Sequence, residues 1–307
     1  MDTSQLPRKW YKKKRYWGVF LLLIWLVFAY SEGPQMRYQP EVLQQALVEV
    51  GQNNVNFHQK QVDGRTVNYL SIIKNDSFPI VVFAHGSPGS LADYERYLGD
   101  TAFGKNLNFI AIDRPGFGYS NFGHADGSLQ YHADALAAVV EDFPKVPKIA
   151  VGHSMGGPVI AKAAMAYPEH FKGLVFVAPS VSPALEPATW WRKMLNIPPI
   201  RWLAPPAFRV CNQEIIPLRG ELEIMESDWE DLKIPVTVVQ GEMDPLVPAG
   251  NANFIADKMI NGMKTKVVML EGKDHFILWS EVPMIKTEIL EVVEMVKTMQ
   301  APQTDAN

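Results

Sequence analysis

The sequence predicts an α/β fold: a mostly parallel, doubly wound sheet with helices on both faces and a helical cap between the sixth and seventh strands. Three observations predict it. Short apolar runs recur between about residues 80 and 270, each ended by glycine, proline or a polar cluster. They alternate with longer stretches of helical spacing, the pattern of repeated strand–helix units. The runs are apolar at nearly every position, as strands covered on both faces require. A chain of 307 residues suffices for one large domain with a sizeable core.

From the N-terminus, residues 1–15 form a basic flank in which Arg8, Lys9, Lys12, Lys13, Lys14 and Arg15 face only Asp2. That is a local charge of +5 within an overall −4, so the body carries −9, which argues against nucleic acid as a partner. Residues 16–30 (YWGVFLLLIWLVFAY) are apolar without a break. The run is shorter than the roughly twenty residues that cross a bilayer comfortably. Its Tyr and Trp ends suit an uncleaved membrane anchor, while Ala29-Tyr30-Ser31 suits a signal peptide cleaved near Ser31. A buried core helix is the plain alternative, and it would strand the charge block. Either targeting reading puts residues 31–307 on the outer side of the cytoplasmic membrane, or secretes them.

Residues 31–54 read as a tether with a helix over 41–50. Strands are predicted over 55–62 and 65–73 around Asp63-Gly64, a hairpin signal. Alternation follows: strand 80–84, helix near 91–104, strand 108–112, helix 127–143, strand 148–152, helix 154–167 and strand 172–178. With these the first part of the core, 55–179, is complete. At Pro179 the pattern breaks. Residues 180–230 are rich in proline and carry Trp190, Trp191, Met194, Trp202 and Phe208. They read as a helical cap roofing a site, or as a surface subdomain that only packs on the body. The second part of the core, 231–298, holds strand 235–241, helix 249–260, strand 265–270 and helix 281–298, and a polar tail covers 299–307. The single cysteine, Cys211, excludes an internal disulfide, and no Cys/His spacing suggests zinc.

Chemistry concentrates at strand ends. Gly152-His153-Ser154-Met155-Gly156-Gly157 follows Ile149-Ala150-Val151. It reads as a strand turning sharply into a helix with serine at the apex, too tight for side chains at 152 and 156. A serine needs a base and oxyanion donors. Strand 235–241 runs into Glu242-Met243-Asp244-Pro245, and strand 265–270 into Glu271-Gly272-Lys273-Asp274-His275. The candidates are therefore Ser154 as nucleophile, His275 as base and Asp244 as the acid orienting it. Asp274 is too near His275 in sequence to reach the ring's far nitrogen, and Asp228 and Asp231 precede their strand. His85-Gly86-Ser87-Pro88-Gly89 follows strand 80–84, and Asp113-Arg114-Pro115-Gly116-Phe117-Gly118-Tyr119-Ser120 follows strand 108–112. Asp113 is expected to fix its own loop. His58, His124, His132 and His170 lie outside these motifs, and Cys211 has no histidine near it in sequence.

Four such motifs in this order, over about residues 55–298, resemble the α/β-hydrolase fold family, whose members order their triads Ser…Asp…His. The resemblance implies a serine hydrolase with an oxyanion hole from the backbone N–H groups of Met155 and Ser87. It implies no metal or organic cofactor. The HGSPG loop is similar to those of epoxide hydrolases and haloalkane dehalogenases. Those enzymes use an aspartate where this chain has Ser154, and epoxide hydrolases place tyrosines in a lid that here, over 180–230, contains none. A carboxylic ester with an apolar acyl or aryl group is the expected small-molecule substrate. Carbon–carbon bond hydrolysis, acyl transfer and ligand binding without catalysis remain open, as does oligomeric state. Activity is expected to fall on acidification, because a protonated imidazole cannot accept a proton.

Overall fold

The structure, a computed structural model, describes residues 10–31, 33–259 and 264–300, with side chains from Tyr16 onward. Of the charge block expected over 1–15, residues 1–9 lie outside it and residues 10–15 are described as backbone only; most of the tail expected over 299–307 also lies outside. Helix α1 (Trp10–Ala29) is followed by α2 (Pro40–Glu49) and the hairpin β1 (Val55–Val62) and β2 (Arg65–Ile72). Next come β3 (Ile80–Ala84), α3 (Glu95–Leu98), β4 (Asn108–Ile112), α4 (Leu129–Glu141), β5 (Lys148–His153), α5 (Gly156–Ala166) and β6 (Gly173–Val177). Helices α6 (Trp190–Leu195), α7 (Ile200–Leu203) and α8 (Pro206–Ile224) separate β6 from β7 (Val236–Gly241). The fold closes with α9 (Gly250–Lys258), β8 (Thr265–Leu270), α10 (Ile277–Ser280) and α11 (Val282–Gln300).

The strands form one sheet in the order β1-β2-β4-β3-β5-β6-β7-β8. β2 is antiparallel to both neighbours, and from β4 to β8 every pairing is parallel. Alternation inside the apolar runs divides the core in two, since successive side chains of a strand point to opposite faces. Ile80, Val82, Ala150, Leu174 and Phe176 pack on one face with residues of α4, α5, α8 and α9. Val81, Phe83, Ile149, Val151 and Val175 pack on the other with residues of α2, α3 and α11. Burial on both faces is why these strands carry no polar alternation. α11 covers its face through Ile285, Ile289, Val292, Val293 and Val296, a helical stripe.

The helix expected near 91–104 is much shorter. A 3-10 turn over Leu91–Tyr94 leads into the single turn of α3. The chain then breaks because Asp100 Oδ1 accepts from the backbone N–H groups of Ala102 and Phe103, both at 3.0 Å, a turn that competes with helix.

Candidate active site

The parallel registers Ala84↔Gly152, His153↔Val177, Val177↔Val239 and Gly241↔Leu270 align the carboxyl ends of β3, β5, β6, β7 and β8 on one rim. Ligands bind at that rim in open parallel sheets. Ser154 leaves β5 with φ at +53°, a left-handed conformation that non-glycine residues adopt rarely. It is held there by its N–H donating to Val177 O (2.9 Å) and its C=O accepting from Gly157 N–H (2.9 Å). The turn excludes side chains as the spacing required: a Cβ on Gly152 would lie 2.4 Å from Gly156 O, and one on Gly156 2.1 Å from Ala84 O.

Asp244 and His275, 31 residues apart in sequence, meet at 2.6 Å through Oδ2 and Nδ1. Both side chains are buried. Every acceptor direction of the carboxylate is used. Oδ1 takes the N–H groups of Leu246 (2.9 Å) and Val247 (2.8 Å), and Oδ2 also takes Gln240 Nε2 at 3.2 Å. Burial pushes the Asp244 carboxyl up, but the His275 contact and these backbone donors outweigh it and hold the group below the usual carboxylate range. Asp274 instead accepts from Phe276 N–H. Ser154, His275, Ser87 and Met155 line one cavity of about 390 Å³, together with Phe208 and Trp279. Gly86 brings the preceding loop so close that a Cβ there would sit 3.2 Å from Ser154 Cβ. Met155 heads α5, where helix N–H groups lack intrahelical partners.

Of the remaining motif residues, Asp113 accepts from Leu91 N–H, Tyr119 N–H, Tyr38 Oη–H and Asn68 Nδ2, each at 2.9 Å, so it ties its loop to neighbouring elements. His153 lies beside His275, ring centroids 4.9 Å apart, and burial holds it down to about 3, hence neutral.

Sequence reasoning missed the groups that hold the loop after β3. Arg114 is 1% exposed. Its Nε donates to His85 O at 2.8 Å and one Nη donates to Gly86 O at 2.9 Å. Both Nη atoms also donate to Glu214 of α8, at 2.9 and 3.1 Å, a bidentate pair with the carboxylate fully buried. Arg114 N–H donates to His85 Nε2 at 2.9 Å, and burial with the Arg114 charge keeps that imidazole neutral. Arg114 stands in a motif read from the sequence, but nothing local marks Glu214, a hundred residues on. Arg192 of α6 also lines the cavity, its Nε buried without a hydrogen-bond partner.

Asp93 borders the same cavity, and burial pushes its carboxyl up to about 7 against the Ser90 N–H bond. A raised carboxyl binds its proton more tightly folded than unfolded. Its stabilisation is therefore full at low pH and declines as pH climbs from the usual carboxyl range to about 7. Asp93→Asn should flatten that decline between about pH 5 and about pH 8. Denaturation midpoints measured at both values check it, and equal declines in the two proteins would refute it.

Residues 79–204 match the family model described as the alpha/beta hydrolase fold. Human monoglyceride lipase is 24% identical over 251 residues, which span 70% of this chain and 81% of that protein. The 2-(acetamidomethylene)succinate hydrolase of Mesorhizobium japonicum is 24% identical over 72% of this chain and 90% of its own length. Among solved structures, a bacterial membrane phospholipase A superposes with a TM-score of 0.63 at 18% identity, covering 93% of this chain and 99% of that one. These matches join the eight-stranded sheet and the strand-end motifs in one conclusion: the chain is an enzyme of the α/β-hydrolase fold.

Proposed function

We propose that the protein hydrolyses carboxylic esters with an apolar acyl or aryl group through an acyl-enzyme on Ser154. The observation that carries this reading is the 2.6 Å contact of Asp244 behind His275, whose ring lines the cavity of Ser154. His275 takes the Ser154 proton as the hydroxyl oxygen bonds to the carbonyl carbon. The N–H groups of Met155 and Ser87 receive the oxyanion. The alkoxide leaves with the proton from His275, and a water deprotonated by the same imidazole then releases the acid. Asp244 holds the tautomer and offsets the imidazolium charge. Lipase and phospholipase names among the similar proteins agree with an ester substrate.

Labelling by a fluorophosphonate probe tests the nucleophile: wild type should label and Ser154→Ala should not. A series of soluble esters tests the acyl site. Each methylene buried in the cavity is worth about 0.8 kcal/mol, so kcat/KM should rise about threefold to fourfold per carbon until the pocket is full. Rates indifferent to acyl length from about two to about twelve carbons would sink the apolar-substrate reading.

We propose further that α1 anchors the protein in the cytoplasmic membrane with the catalytic body on the outer side. Among the described residues no helix is long and apolar enough to cross a membrane by itself. What supports membrane contact is exposure: every residue from 16 to 28 except Leu26 is exposed, and all are apolar or glycine. An apolar helix of that length left uncovered calls for lipid.

A further inference from the structure

Outside the catalytic cavity, a second concavity lies between the loop after β4 and the α7–α8 segment. It encloses about 600 Å³ and is lined by Arg65, His124, Arg201, Arg209, Trp202 and Gln213 among others, with no carboxylate in its wall. Arg65 is already ion-paired with Asp126. Arg201 and Arg209 have no carboxylate partner among the described residues. Their guanidinium groups lie over aromatic rings instead, 5.8 Å from Trp202 and 5.7 Å from Tyr30. Pro206, the first residue of α8, lines the same wall, so the positive end of a 19-residue helix adds to the field. Two uncompensated arginines in a carboxylate-free cleft, in a body of net charge −9, are positioned for an anion.

The setting says which anion. Trp25 of α1 donates its indole N–H to Leu203 O at 2.7 Å, and Tyr30 Oη–H donates to Trp202 O at 3.3 Å. The apolar helix thus ends at the mouth of the cleft. Trp202 in its wall is 50% exposed, and its neighbour Leu203 43%. With residues 16–28 in hydrocarbon, the cleft stands at the level of the headgroups, where Trp and Tyr also prefer to lie.

We propose that this cleft binds the phosphate of an anionic phospholipid headgroup and so seats the α7–α8 face on the bilayer. The proposal rests on the membrane reading of α1 given above. The test uses the full chain in neutral detergent micelles, titrated with brominated phosphatidylglycerol or brominated phosphatidylcholine, with tryptophan quenching as readout. Quenching by phosphatidylcholine reports α1 in lipid, and the difference between the two lipids reports the cleft, so the two readings fail separately. Phosphatidylglycerol should bind about tenfold more tightly or better, since each basic residue near a charged surface is worth about 1 kcal/mol. The preference should weaken in added salt and vanish in R201E/R209E. R201Q/R209Q serves if charge reversal impairs folding, and hydrolysis of a short soluble ester should stay at the wild-type rate in either. Equal affinity for the two lipids, or an undiminished preference in the double variant, overturns the proposal. Displacement by inorganic phosphate at the concentration of the lipid also overturns it, because the cleft would then be a site for soluble anions.

Discussion

Ester hydrolysis is expected to fall by about a millionfold when Ser154 is replaced by alanine, as when the nucleophile is removed from other triads. Binding and the oxyanion donors survive the change, so residual catalysis above the reaction in water persists. Folding should be little affected. The elbow is held by backbone bonds to Val177 and Gly157 rather than by the hydroxyl, and alanine bears the positive φ no worse than serine. Steady-state rates on a short-chain ester, with a denaturation curve on the same sample, separate the two effects. His275→Ala should cost about as much, and the double variant scarcely more, because nucleophile and base act as a unit. A Ser154→Ala protein retaining a tenth of the activity would end the acyl-enzyme mechanism.

Glu214→Ala has the largest expected effect on stability. It leaves the Arg114 guanidinium buried without its bidentate partner, and breaking a buried pair from one side costs about 3–5 kcal/mol. His132 Nε2, 3.7 Å from Glu214, is held down to about 4 by burial and by the Arg114 charge, so it is neutral and leaves Arg114 as the cation the carboxylate balances. Glu214→Gln keeps hydrogen-bonding atoms in place and should lose less. Since Arg114 also holds the carbonyls of His85 and Gly86, turnover should fall along with stability in the alanine variant. Urea denaturation gives the first quantity and kcat on a soluble ester the second. A loss of under about 1 kcal/mol would show that solvent reaches Arg114 and replaces the carboxylate.

Strands and elbow were legible in the sequence because their causes are local. The run Ile80–Ala84 must be covered on both faces wherever it lies, and the glycines at 152 and 156 are demanded by atoms within the same turn or the adjoining strand end. The candidates Asp244 and His275 could be placed by their positions just past two strands, and the parallel register brings them to one rim. What could not be read depends on distant partners. Glu214 looks like any helical glutamate until α8 is laid against the turn after β4. The length of α3 turned on whether Asp100 would fold back on the backbone, a choice that spacing of apolar residues does not encode. Arg201 and Arg209 read as ordinary surface cations until the packing sets them in one hollow.

One helix borders both the cleft and the catalytic cavity. α8 carries Arg209 in its first turn and Glu214 at its middle, with Cys211, Ile215 and Leu218 facing the cavity. Its 19 residues span about 28 Å, and Arg209, Cys211, Glu214 and Ile215 all precede Pro217, where an interior proline can kink the helix. The wall that would grip an acyl chain and the carboxylate that steadies the carbonyl end are therefore bolted to a single beam. Substitutions that reshape the wall by tilting the beam should also disturb the loop after β3 through Glu214 and Arg114, so substrate preference and turnover are expected to change together.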